Sequence, residues 1–212
     1  MVTTKPEGSA RERLLAAANE LFYEEGVHTV GIDRVIERAG VAKASLYSTF
    51  GSKEELVRAY LQARAEDRQR RISAVIAKHD DARERILALY DYLHERITDP
   101  AYRGCAFINA TAEGPRVDNK VSQVCTDSRG WLRGLFIELA RDAGARDPEQ
   151  LGLQLVMLYD GAAVAASMER DLDAADRAKG MAIALLDAQA SDPPGKPASK
   201  AKPTKRTVRA TK

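Results

Sequence analysis

Cysteine is scarce in this chain, two residues in 212, and Cys105 and Cys125 stand at no paired spacing. That excludes a disulfide framework and a cysteine-built zinc site, and both are expected as reduced thiols. His28, His79 and His94 share no ligand-like spacing, so no metal site is expected. No run approaches the roughly 18 apolar residues that cross a bilayer, and the polar opening from Met1 to Glu7 carries no export signal. The chain is therefore expected in the cytoplasm, without a membrane partner. Strand signals and internal repeats are missing. Triads, phosphate loops, metal clusters and paired carboxylates are missing too, so neither an enzyme nor a cofactor is expected.

What the chain has is charge, and it is unevenly spread. The net charge is +2, but residues 190–212 hold Lys196, Lys200, Lys202, Lys205, Arg206, Arg209 and Lys212 against Asp192 alone, a net of +6 that leaves −4 for residues 1–189. With Pro193, Pro194, Pro197 and Pro203 and almost no large apolar residue, this segment cannot bury enough surface to offset its ordering entropy. It is read as a disordered basic tail, either an aid to phosphate attraction or an inert solvated terminus. Residues 1–8 are read as disordered as well.

The decisive stretch is residues 29–55. Ile32, Val35, Ile36 and Ala39 recur at helical spacing while Asp33, Arg34, Glu37 and Arg38 point away, which makes a short amphipathic helix. Gly40 can end it in a left-handed conformation, and Val41 turns the chain back inward. A second short helix then runs from Ala42, with Val41, Leu46 and Phe50 apolar on one side and small or polar groups on the other. Two helices around so tight a turn match helix-turn-helix geometry, whose second helix enters the major groove. Ser52, with Glu55 three residues on, predicts a capping box that starts the next helix.

Ala39-Gly40-Val41, Leu46-Tyr47, Phe50 and Ser52-Lys53-Glu54-Glu55-Leu56 together resemble the signature of the TetR family of bacterial transcriptional repressors. Residues 11–26 are similar to that family's first helix, with Leu14, Leu15, Ala18, Leu21 and Phe22 as its core stripe and Gly26 closing it. Departures are specific. Ala42 stands where the family has a capping Ser or Thr, Ala44 where Gly is frequent, and Ser48-Thr49 where an aromatic or His pair is commoner. Val30 replaces a Thr, with Thr29 one place early. These changes bear on the operator sequence rather than the fold.

Beyond this head, the pattern predicts helices over residues 52–78, 81–98, 105–113, 117–143, 148–170 and 173–190. The buried stripes are expected at Ile86, Leu89, Tyr90, Leu93 and Ile97 in the second of these, and at Val121, Val124, Trp131, Leu135 and Leu139 in the fourth. The expected architecture is all-α, about nine helices: a helix-turn-helix head over residues 9–60 and a helical effector-binding and dimerisation domain over residues 61–189. Small residues line the last two helices, and the resemblance implies that these pair with a second subunit as a four-helix bundle. Leu155, Leu158, Tyr159, Ala162, Ala166, Met181 and Leu185 are the expected interface. Tight packing inside one chain would use the same pattern.

On the second short helix Lys43, Ala44 and Ser45 are expected to read base edges, with Ser48 and Thr49 beside them. Tyr47 and Lys53 are expected on phosphates, and Thr29, Gly31 and Arg34 on the opposite phosphate wall. Tyr47 read blandly is a core aromatic with its hydroxyl at the rim, and Thr49 merely solvent-exposed. The resemblance also implies an effector cavity in the body, for which Tyr90, Tyr102, Cys105, Phe107, Asn109, Trp131, Met157 and Asp160 are candidates. Asn109 and Asp160 stand out as polar groups on apolar helices. Cys105, close to Arg103 and a helix start, could be an activated thiol or a buried inert one. The leading function is a dimeric repressor of a palindromic double-stranded DNA operator, released by an unknown small-molecule effector. Alternatives are an architectural DNA binder that uses the basic tail without a ligand, and a thiol-based electrophile sensor through Cys105.

Overall fold

The computed structural model describes residues 8–113 and 120–189. The expected helix start at residue 117, the Gly114-Pro115 stop, the basic tail and all but Gly8 of the N-terminal segment lie outside the described residues. Among those described there are nine α-helices and no strand: α1 (Ala10–Glu25), α2 (Ile32–Ala39), α3 (Lys43–Phe50), α4 (Lys53–Ile76), α5 (Ala82–Ile97), α6 (Ala106–Glu113), α7 (Lys120–Asp142), α8 (Pro148–Glu169) and α9 (Ala174–Gln189).

The caps explain most boundaries. Ser9 accepts from the Glu12 N–H while the Glu12 carboxylate takes the Ser9 N–H, a complete capping box at α1 that the sequence reading passed over. At α4 the expected box is half formed. Ser52 caps the Glu55 N–H at 3.1 Å, but the Glu55 carboxylate is drawn away by Arg58 at 2.7 Å and Lys120 at 2.6 Å. Asp81 and Asp147 cap α5 and α8 in the same manner, the latter with Pro148 at the first helical position. Gly40, left-handed at φ 61°, closes α2 and places the turn before α3. Arg13 of α1 donates to the Gly40 carbonyl at 3.1 Å and ties that turn to the first helix.

Two apolar clusters form. The first gathers Leu14, Ala18, Phe22, Val35, Leu46, Leu56, Tyr60 and Leu61 of the head, and it continues into Ala106, Phe107, Ala110 and Cys125. The second joins Ile72 of α4 to α5, α7, α8 and α9 through Ile86, Leu89, Phe136, Leu151, Leu155, Ala182 and Leu186. Helix α4 runs unbroken through both, so the expected boundary at residue 60 falls inside a helix whose head-side core includes body residues.

Three expectations need correction. The buried stripe of α7 is Cys125, Ser128, Leu132, Phe136 and Leu139, with Val121, Val124, Trp131 and Leu135 only half-buried. Ser128 can be buried because Arg68 donates to its carbonyl and hydroxyl at 2.5 and 2.6 Å. On α8, Leu155, Tyr159, Ala162 and Ala166 are at most 7% exposed within the single chain, so they serve its own core. The close helix approach falls at a glycine outside the expected small-residue set and against α7: a Cβ on Gly152 would lie 2.7 Å from the Ile137 Cα, whereas Gly161 has nothing within 4 Å. Finally, α8 reaches a mean hydropathy of 1.4 over 18 residues and is, by length and composition alone, apolar enough to cross a bilayer. Its inner face packs on α7 and α9.

Candidate nucleic-acid interface and body cavity

Helix α3 shows its polar side outward. Leu46 is fully buried and Phe50 half-buried, which anchors the helix, while Lys43, Ala44, Tyr47, Ser48 and Thr49 are exposed and Ser45 is half-buried. Ala42 occupies the N-cap without any side-chain bond, so the first N–H groups of α3 have no side-chain cap. Tyr47 is 47% exposed, against the core alternative. Thr29 and Gly31 are exposed on the loop before α2, and Lys53 is half-buried at the first turn of α4. Burial holds the Lys53 ammonium below the usual lysine range.

Three cations of this surface, Lys43, Arg34 and Arg38, are already paired. Lys43 meets Asp33 at 2.9 Å, Arg34 forks onto Glu25 at 2.5 and 2.8 Å, and Arg38 lies 2.6 Å from Glu20. The hydrogen bond from Arg34 depresses the Glu25 carboxyl, and the one from Lys43 to Asp33 raises the Lys43 ammonium. Residues 9–60 carry seven Lys and Arg against eight Asp and Glu, so no broad basic field surrounds α3. Solvent-exposed pairs of this kind are weak and exchange partners readily.

A cavity of about 610 Å³ opens between α1, α4, α5, α6 and α8. Tyr102, Cys105, Phe107 and Asp160 line it. Tyr90 does not: it is 1% exposed, and its hydroxyl donates to the Leu155 carbonyl at 2.8 Å. Asn109 donates to the Arg103 carbonyl at 2.9 Å, Trp131 packs on the second core, and Met157 is 66% exposed on the outside of α8. Asp160 is paired with Arg129 at 2.8 Å. The Arg103 guanidinium donates to the Pro100 and Tyr102 carbonyls of its own loop.

The cavity wall also contains residues outside the expected set. Tyr60, Arg64, Asp67, Arg68 and Arg71 all face it from α4, although the 64–71 stretch reads as a charged link between head and body. Their spacing of three and four was the available signal. Tyr23, Tyr92 and Tyr159 complete an aromatic lining. Burial pushes the Tyr60 phenol up to about 12 and those of Tyr102 and Tyr159 upward as well, so all three are neutral hydroxyls. Among the described residues no three of His, Cys, Asp and Glu gather at metal-holding distance.

Comparison with known proteins fits this geometry. The family described as "Bacterial regulatory proteins, tetR family" matches residues 14–60. The transcriptional activator FasR of Mycolicibacterium smegmatis is 32% identical over 144 residues, which cover 66% of this chain but only 63% of FasR. The transcriptional repressor KstR2 of Rhodococcus jostii is 26% identical over 165 residues, 76% of this chain and 80% of its own. The crystal structure of SCO4454, a TetR-family regulator from Streptomyces coelicolor, superposes with a TM-score of 0.81 at 33% identity, covering 86% of this chain and 96% of that one. With the helix-turn-helix outward on a frame of nine helices among the described residues, and that likeness along nearly the whole of SCO4454, this chain belongs to the TetR family of transcriptional regulators.

Proposed function

We propose that the protein is a cytoplasmic homodimeric repressor that holds a palindromic operator in duplex DNA through α3 of each subunit. A small molecule in the α1–α4–α5–α6–α8 cavity releases it. The observation that carries the DNA half is the outward row of Lys43, Ala44, Tyr47, Ser48 and Thr49, braced from behind by buried Leu46. Lys43, Ala44 and Ser45 read base edges, Tyr47 and Lys53 take phosphates, and Arg34, Thr29 and Gly31 meet the opposite strand. Lys43 and Arg34 exchange their carboxylates for phosphates on binding.

The dimer is supported by a face that the single chain leaves uncovered. Leu153, Met157, Gly161, Val164 and Met168 follow one line along α8, and Met157 and Met168 are 66% and 78% exposed. Met181 of α9 is 55% exposed and Leu185 half-buried beside it. A second copy covers these, and two-fold symmetry then matches two half-sites. Release is supported by the position of the cavity, whose walls come from α1 and the head-side half of α4 as well as from α8. A ligand there touches head and body at once and can favour one head placement over another.

Fluorescence anisotropy on the DNA upstream of the protein's own gene tests this reading. Saturable binding by two subunits, weakened by salt and lost on scrambled DNA, is expected. Equal affinity for scrambled DNA overturns it. Repression is the sign named for KstR2 and activation that for FasR; a reporter behind the bound promoter, silent with the protein and active without it, distinguishes them.

A further inference from the structure

The α4 wall of the cavity has an electrostatic imbalance. Tyr60, Arg64, Arg68 and Arg71 follow one another at intervals of four, four and three, so a single helical face brings a phenol and three guanidinium groups into it, and Arg96 arrives from α5. Three carboxylates share the lining, and two of them are held by cations: Asp67 by Arg70 and Arg71, and Asp160 by Arg129. Glu12 is the carboxylate of the α1 capping box. Arg96 meets Asp99 at 3.5 Å.

That leaves Arg64 and Arg68, neither of which meets a carboxylate among the described residues. Arg64 donates its Nε to Asn19 at 3.0 Å and lies 3.7 Å over the Tyr23 ring, which leaves the two terminal nitrogens of its fork uncommitted. Arg68 spends one terminal nitrogen on Ser128, lies 4.7 Å over Phe107, and has an Nε that is buried without a partner. A half-buried guanidinium without a counter-charge is costly, and a bound anion removes that cost. Two hydroxyls add to the recognition. Tyr60 and Tyr159 line the same space at 2% and 7% exposure, and their hydroxyls make no hydrogen bond to another described residue. Each can donate to an acceptor bound in the cavity.

We propose, resting on the reading of this cavity as the effector site, that the effector is an organic anion with an aromatic or apolar body, its acid group bound by Arg64 and Arg68. An inorganic ion fills too little of about 610 Å³ walled by Tyr23, Tyr92 and Phe107, and a cation meets the wrong charge. Arginine forks suit a planar carboxylate, and the aromatic rings beneath them fix their orientation.

The test is isothermal titration of the full chain with three probes of one shape: naphthalene-2-carboxylate, naphthalene-2-carboxamide and naphthalen-2-ylmethylammonium. The carboxylate is expected to bind at least about tenfold more tightly than the carboxamide, with the ammonium weaker still. Arg64→Gln removes that preference and leaves carboxamide binding in place. The wild-type comparison reads the charge preference even if a variant misfolds. A carboxamide that binds as well as the carboxylate overturns the anion assignment and keeps the cavity as a ligand site. Failure of all three probes to bind overturns the effector-site reading and the anion assignment together.

Discussion

The carboxylate of Glu113, the last residue of α6, accepts a hydrogen bond from the backbone N–H of His28 at 3.0 Å, across the gap between the body and the α1–α2 loop. Gly26 makes room for it, because a Cβ there would stand 2.7 Å from that carboxylate at a φ of +97°. Glu113→Ala removes the acceptor, and a hydrogen bond of this class contributes about 0.5–1.5 kcal/mol. Hydrogen exchange of the His28 amide is expected to quicken by about threefold to tenfold with the global unfolding midpoint little changed. An unaltered His28 rate shows that the contact is not formed in solution.

Lys43 and Asp33 make the second testable pair. Lys43→Ala is expected to weaken operator binding and to lower the slope of log affinity against log salt by about 1, the loss of one phosphate contact. Asp33→Asn frees the same ammonium and removes a repelling charge, so binding is expected to tighten and its salt dependence to steepen. Anisotropy at several salt concentrations checks both, and matching slopes for the three proteins refute the role of Lys43.

Gly152 has no space for a methyl group, since the Ile137 backbone fills it. Gly152→Ala therefore forces α7 and α8 apart, an overpacking cost of about 1–3 kcal/mol. Calorimetry is expected to show a midpoint lowered by several degrees, at about 2–4 °C per kcal/mol for a chain of this size. Gly161→Ala, where nothing lies within 4 Å, leaves the fold of one subunit undisturbed.

Met157→Glu with Met181→Glu places two charges on the uncovered side of α8 and α9. The pair is expected to give a folded monomer by light scattering and to abolish binding to a two-half-site operator. A variant that remains dimeric moves the subunit interface elsewhere.

Alkaline stability follows from Tyr60. Its folded phenol is raised to about 12 by burial, above the ordinary value of 10.0, so the neutral form is the one the fold favours. The stability it contributes is complete below pH 10 and is lost as pH climbs from 10 through about 12. Urea midpoints of Tyr60→Phe are expected to fall less steeply across that window than those of the unaltered chain, with the raised Tyr102 and Tyr159 retaining part of the slope.

Much of the frame was legible because its signals are local. The Ile32, Val35, Ile36 and Ala39 stripe, Gly40 and the cap at Ser52 each act within a few residues, and the helices begin and end close to where those residues put them. The phase of α8 was not legible. Alanine, leucine and glycine occupy nearly every side of it, so no polar face marks which side is solvent, and the inward Leu155–Tyr159–Ala162–Ala166 row looked as suitable for a partner as the outward one. The cavity was read only in part, through Tyr102, Cys105, Phe107 and Asp160. The rest of its wall comes from helices far apart in sequence. A run as charged as Arg64 to Arg71 is ordinarily solvated, and only its neighbours α1, α5 and α6 turn it into an interior surface.

Helix α4 carries Lys53 at one end and Ile72 in the body's core near the other, with no break between. Its 24 residues make a rod about 36 Å long. Pivoting that rod by about 3° at the body end displaces its tip by roughly 2 Å, comparable to the reach of a hydrogen bond. In the dimer proposed above both tips would travel, and a sub-ångström displacement at Arg64 would take the two α3 helices out of step with the groove.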